Sequence, residues 1–268
     1  MRNKLCFLVL LILQFGYAQQ YDSVVIEKDS IDSNNQVYKV GNVYVFDYEI
    51  IKNGISKKLK TNSNDGFELV NKTSDSVGVA KIHLLVRPSI DSPRTNENQT
   101  QISYMQGPEF GSFSSTGVVD NSSNVWIHPI RSGFFESLET CPFPFVKKPL
   151  SIGLEWQDAM SIGEGWGNQL WGEWSGQLLL SYHYKITGKE SITTDLGVIE
   201  CYIIESKADS KLGTTTLKSY FSDVYGFLRF EYELLTGLKV TMWVVDFMEN
   251  KAFNDTMTFF KTKEYLKQ

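Results

Sequence analysis

Apolar and polar side chains alternate with period two through most of this chain, and that period predicts strands. In VYVFDYEII, residues 43–51, Tyr44, Phe46, Tyr48 and Ile50 share one face while Asp47 and Glu49 share the other. Asn53-Gly54 follows, and both residues tolerate the positive φ of a type I′ turn, so ISKKLK reads as the returning strand of a hairpin. Asp65-Gly66 marks another turn. VGVAKIHLLVR, residues 77–87, sets Ala80, Ile82, Leu84 and Val86 against Lys81, His83 and Arg87, which predicts one buried and one wet face. A polar loop with two prolines spans 88–99, and shorter strands are expected near 101–106, 112–119 and 124–127.

The C-terminal half carries the clearest pattern. In QLLLSYHYKI, Leu178, Leu180, Tyr182, Tyr184 and Ile186 oppose Ser181, His183 and Lys185. LGVIECYIIES places Cys201 between Ile199 and Ile203, and TTTLKSYF, FLRFEYEL and LKVTMWVVDF follow across short Gly-containing turns. The predicted fold is mostly β: an antiparallel meander forming a curled sheet, an open barrel or a two-sheet sandwich with few short helices. SGFFESLET is expected to make a turn or two of helix after Ser132, with Phe134 and Leu138 on one side. The tail from Asn250 suits either a helix or an extended segment.

The N-terminus changes the picture. Arg2 and Lys4 precede an apolar run from Leu5 to Leu13, and small Ala18 follows, as in a secretory signal peptide. The run is shorter than the about 20 residues of a membrane span, and no later segment is apolar for long enough either. Cys6 precedes most of the run, which excludes it as a lipoprotein acylation site. The expected organisation is a signal peptide at 1–18, a flexible leader at 19–40, a single β-rich domain at 41–249 and a tail at 250–268. The mature chain is expected to be exported, to the periplasm or beyond the cell.

Of 26 Lys and Arg, cleavage removes Arg2 and Lys4, leaving 24 against 31 Asp and Glu. That acidic balance argues against nucleic acid as a partner. Cys141 and Cys201 are then the remaining cysteines. In an oxidising compartment they either close a disulfide, worth about 4 kcal/mol in the chain-entropy description, or stand as two buried thiols.

Candidate chemistry is sparse. There is no GxSxG elbow, no phosphate-binding loop and no HExxH, and His83, His128 and His183 are too scattered to hold a metal, so neither a cofactor nor a catalytic residue is assigned. Gly163, Gly165 and Gly167 lack the helix and parallel strand of a dinucleotide site. Paired acids such as Glu136 with Glu139, or Glu155 with Asp158, could in principle serve a glycosidase, but an acidic chain holds many such pairs by chance.

Two segments stand out. Between Leu154 and Gly176, Trp156, Trp166, Trp171 and Trp174 alternate with five glycines, a composition that suits a platform for sugar rings, a lip for acyl chains, or a cap on the core. In WIHPIRSGFFESLETCPFPFVKKPL, residues 126–150, four phenylalanines are too many to leave in water, so the segment reads as a crossover laying its rings on the sheet. His128 and Arg131 then sit at the rim, where an anionic ligand group could meet them.

The run TDLGVIECYIIESKADSKLGTTTLKSYFSDVYGFLRFEYE, with HPIRSGFF and CPFPF, resembles uncharacterised exported β-rich proteins of the Gram-negative envelope over roughly residues 125–248. Their architecture in turn resembles the open half-barrels of periplasmic lipid and lipoprotein carriers. The resemblance implies a non-enzymatic periplasmic protein. The leading expectation is a binding protein that holds a hydrophobic or amphipathic ligand, or an envelope partner, on its apolar face. A glycan-binding module and an envelope polysaccharide hydrolase are the alternatives.

Overall fold

A computed structural model describes residues 23–61, 66–87, 96–106 and 113–251. The expected signal peptide and residues 252–268 of the tail lie outside the described residues, as does Asp65 of the second predicted turn.

The described strands belong to one antiparallel sheet. Its N-terminal part holds β1 (Val43–Lys52), β2 (Ile55–Thr61), β3 (Phe67–Asn71), β4 (Ile82–Val86), β5 (Thr100–Gln106), β6 (Phe113–Asp120), β7 (Asn124–Ile127) and β8 (Phe145–Lys147). Then come β9 (Glu155–Gly163), β10 (Gln177–Thr194), β11 (Gly197–Ser210), β12 (Gly213–Ser222), β13 (Gly226–Glu233) and β14 (Lys239–Met248). In space the order runs β8-β7-β6-β5-β4-β1-β14-β13-β12-β11-β10-β9, with the β2–β3 hairpin hanging from β1. Asn53 and Gly54 both take positive φ at the β1–β2 turn, as a type I′ hairpin requires.

The sheet curls into a half-barrel. Phe145 on β8 packs edge-on against Trp156 on β9 at 5.7 Å and against Tyr184 on β10 at 5.6 Å, so the two ends of the strand order meet across the core. Trp156 lies flat on Tyr184, 5.2 Å away and 2° from parallel. The alternation predicted for the meander holds: Leu178, Leu180, Tyr182, Tyr184 and Ile186 are all buried on the inner face. Strands β3, β8 and β9 are the elements that the pattern does not reveal, and β9 is the longest of them. Its sequence, EWQDAMSIG, has little apolar alternation because it is a sheet edge.

The crossover after β7 fills the barrel. Residues Gly133–Thr140 form a 3₁₀ helix, where a turn or two of helix was expected, and bury Phe134, Phe135 and Leu138. Phe135 meets Tyr48 of β1 at 5.4 Å, and Phe134 meets Phe67 of β3 at 5.7 Å. Burying each such side chain contributes about 1.5–3 kcal/mol. Thr215 of β12 donates its hydroxyl to the Thr140 carbonyl at 2.7 Å, tying the end of the crossover to the meander.

Two expectations are corrected. Residues 23–40, read as a flexible leader, are stitched onto the fold. Asp120 at the end of β6 accepts the backbone N–H groups of Val37 at 2.6 Å and Tyr38 at 2.8 Å, and the buried Tyr38 hydroxyl accepts the N–H of Phe227 at 3.0 Å. The segment holds itself by side-chain-to-backbone bonds, which leave no periodic trace. His83, assigned to a wet face, is buried at 4% exposure, as are Leu85 on the same strand and Val43 and Val45 on β1. Strand β4 lies between β1 and β5 with both faces covered, and period-two alternation does not distinguish that case. Burial pushes the His83 imidazole down to about 4, and neighbouring Lys81 adds to the effect.

Candidate functional site

The crossover brings His128 and Arg131 together on one acid. Glu139, near the end of the 3₁₀ helix, is 2% exposed, and its Oε1 lies 3.5 Å from His128 Nε2 and 3.2 Å from Arg131 Nε. His128 Nδ1 is 2.9 Å from the Pro129 carbonyl. A carbonyl only accepts, so Nδ1 carries the proton and Nε2 presents a lone pair towards Glu139. Burial raises the Glu139 carboxyl to about 7, against the pull of Arg131 and with a further push from Glu136. Burial also lowers His128 to about 4, with the bond to Pro129 opposing and Arg131 reinforcing. Between about pH 4 and pH 7 the pair therefore holds its proton on the acid, with the imidazole neutral.

This arrangement alters the expected role of the rim. Arg131 already faces Glu139 on one side, and on the other its guanidinium sits 4.7 Å from the centre of the Trp166 ring. Its charge is engaged within the fold, so it is not an open anion receptor. The assembly braces the crossover against the Trp-rich segment.

The four candidate tryptophans separate into two kinds. Trp171 (2% exposed) packs between Phe67 and Phe134 and donates its indole N–H to the Trp166 carbonyl at 2.9 Å. Trp156 (7% exposed) belongs to the Phe145–Tyr184 stack. Trp166 and Trp174 are half-buried against the same core. The cluster is a cap on the barrel, and its rings form no shared exposed platform.

The disulfide is also corrected. Cys141 and Cys201 are both free and buried. Cys141 ends the crossover beside Thr140 and Thr215, whereas Cys201 lies on β11 opposite Glu190, its thiol directed to the Ile199 carbonyl at 3.8 Å. Burial pushes each thiol up to about 12, which keeps both protonated and unreactive.

A wide concavity lies elsewhere, on the wet face of the meander. A trough of about 870 Å³ runs over β9–β14 and reaches β1. Its floor residues Tyr184, Leu217 and Tyr232 are turned into the core, so the walls are charged side chains. Strand register places these in a row across the sheet: Glu155 opposite Lys185, Lys185 opposite Glu205, Glu205 opposite Lys218 and Lys218 opposite Glu231. Charge thus alternates strand by strand. Lys185 closes on Glu155 at 2.7 Å, Arg229 on Glu231 at 2.7 Å and Lys239 on Glu233 at 3.5 Å. None of the sequence-predicted site residues lines this trough. Its signal in the sequence is the polar half of each alternating strand, which taken one strand at a time is indistinguishable from a solvated surface.

Among the described residues no cluster of His, Cys, Asp and Glu is arranged to hold a metal ion, and no helix is long and apolar enough to cross a membrane. No family model matches the chain, and no curated protein matches it. Three solved structures are similar to it. A provisionally named exported protein with YmcC-like fold from Bacteroides fragilis is 9% identical with a TM-score of 0.46, over 80% of this chain and 99% of that one. A provisionally named lipoprotein from Parabacteroides distasonis is 13% identical with a TM-score of 0.39, over 79% and 97%. The hypothetical lipoprotein YmcC from Escherichia coli is 10% identical with a TM-score of 0.34, over 77% and 87%. At these identities and TM-scores they place no ligand and no functional residue on this chain.

Proposed function

We propose that this chain is an exported, non-catalytic binding protein that holds a polar ligand in the charged trough on the wet face of its meander. One observation carries the reading: the apolar interior is occupied by the chain's own Phe134, Phe135 and Phe145, while about 870 Å³ stands open over the outer face. A ligand cavity of that size is in the range of small-molecule and peptide sites. The lining offers charge of both signs, and the rings of its Tyr184 and Tyr232 are turned into the core, which favours a polar ligand over an acyl chain or a stacked sugar. The acids of the rim support the absence of catalysis, since Glu139 is buried and faces protein groups.

Native mass spectrometry of the mature chain purified from an exporting host tests the reading. A bound adduct that disappears when Arg229 and Lys239 are both changed to Glu supports the trough. An acyl lipid that co-purifies equally with the parent and with that variant returns the ligand to the interior and overturns the proposal.

A further inference from the structure

One pair of charges in the trough is left open. Glu205 and Lys218 are directly opposite on β11 and β12, yet among the described residues neither has an ion-pair partner, while the pairs on both sides of them are closed. The cause is Tyr220, two residues along β12 on the same face. Its ring draws the Lys218 ammonium to 5.0 Å from its centre, and its hydroxyl reaches Glu231 at 3.5 Å. Contact with Tyr220, before any other influence, keeps the Lys218 ammonium firmly protonated. Glu205 is exposed. The middle of the row therefore presents an unpaired Glu205 carboxylate beside a Lys218 ammonium that rests on Tyr220 without closing an ion pair, with side chains about 4.5–5.5 Å apart at their bases.

We propose that the open pair makes the trough a receptor for a short zwitterionic peptide, its carboxylate seated on Lys218 and its ammonium on Glu205. The inference rests on the trough being the binding site. A ligand of a single charge gains one contact and meets like charge at the other, so selection falls on molecules that carry both groups. The closed pairs on either side hold their charges fixed and contribute no free group of their own. Charge-assisted hydrogen bonds to each end of the peptide supply the specificity.

The mature chain is titrated by amide NMR with the dipeptide Ala-Ala, whose two ends span about 7 Å at most, its N-acetylated form, its C-amidated form and the uncharged sugar maltotetraose. The free peptide is expected to shift the amides of β10–β13 in the trough, and capping either end to weaken it about tenfold. Lys218→Glu and Glu205→Lys are each expected to weaken the free peptide similarly, and the double exchange to recover most of the loss. Both residues point into the trough, and unchanged spectra elsewhere show that the variants are folded. Capped peptides or maltotetraose shifting the same amides as strongly as the free peptide overturn the ligand class and leave the trough standing. No shift in the trough with any of the four probes overturns both.

Discussion

Glu139 Oε1 lies 3.5 Å from Nε2 of His128 beneath the rim of the barrel, and the two groups are perturbed in opposite senses by the same burial. Glu139 moves from 4.5 up to about 7, so the folded state holds a proton that the unfolded chain has lost, and this group lowers stability as pH rises from about 4.5 to 7. His128 moves from 6.5 down to about 4, so the unfolded chain binds the extra proton, and this group raises stability as pH rises from about 4 to 6.5. Across their common window the two slopes offset each other.

Removing one partner should expose the other's slope. Glu139→Gln is expected to show stability that climbs between about pH 4 and 6.5 and to exceed the parent at pH 8 by about 3 kcal/mol, the linkage value of the raised carboxyl. His128→Gln is expected to fall between about pH 4.5 and 7. Urea unfolding at half-unit pH steps is the measurement. A Glu139→Gln profile parallel to the parent would show that the carboxyl titrates normally.

The leader segment should be essential to the fold. Gly226 takes φ +75°, and a Cβ there would stand 2.8 Å from the Tyr38 ring, which is locked by its bond to Phe227. Gly226→Ala combines left-handed strain with overpacking and is expected to cost about 2–5 kcal/mol. Asp120→Ala, which strands the N–H groups of Val37 and Tyr38, is expected to cost about 1.5–3 kcal/mol. Thermal unfolding decides. A chain truncated before Asn42 with an unchanged midpoint would contradict the packing.

Trp171 and Trp166 should differ sharply. Trp171→Ala empties a site between Phe67 and Phe134 and is expected to cost about 3–5 kcal/mol. Trp166→Ala removes a half-buried ring and one cation–π contact, about 0.5–1 kcal/mol for the contact itself. Equal losses in chemical denaturation would mean that the two rings share one role.

Both thiols are expected to be silent in the native state. An aromatic disulfide reagent at pH 8 should label neither Cys141 nor Cys201 until denaturant is added, and then label both. Prompt labelling of either would place it at the surface, and two thiols that stay unlabelled in denaturant would show a bridge.

Alternation by itself determined that this chain is antiparallel β, because side chains on a pleated strand must point to opposite sides and one side here is rich in Leu, Ile, Tyr and Phe. The same pattern placed Tyr44, Phe46, Tyr48 and Ile50 inward, put a type I′ turn at Asn53-Gly54, and marked the crossover by its unsheltered phenylalanines. The Trp-rich segment and His128 with Arg131 were also visible, but only as residue types. Whether Trp171 is a platform or a plug depends on Phe67 and Phe134, which are over 100 and about 40 residues away in the chain. Only the curl of the sheet decided that Arg131 meets Glu139 and Trp166, that Cys141 and Cys201 stay apart, and that His83 is covered on its second face. Strand register, likewise a long-range property, lines up Glu205 and Lys218, and Tyr220 draws the lysine aside. A local pattern reports which face is apolar; what stands opposite each face is set by contacts between distant segments.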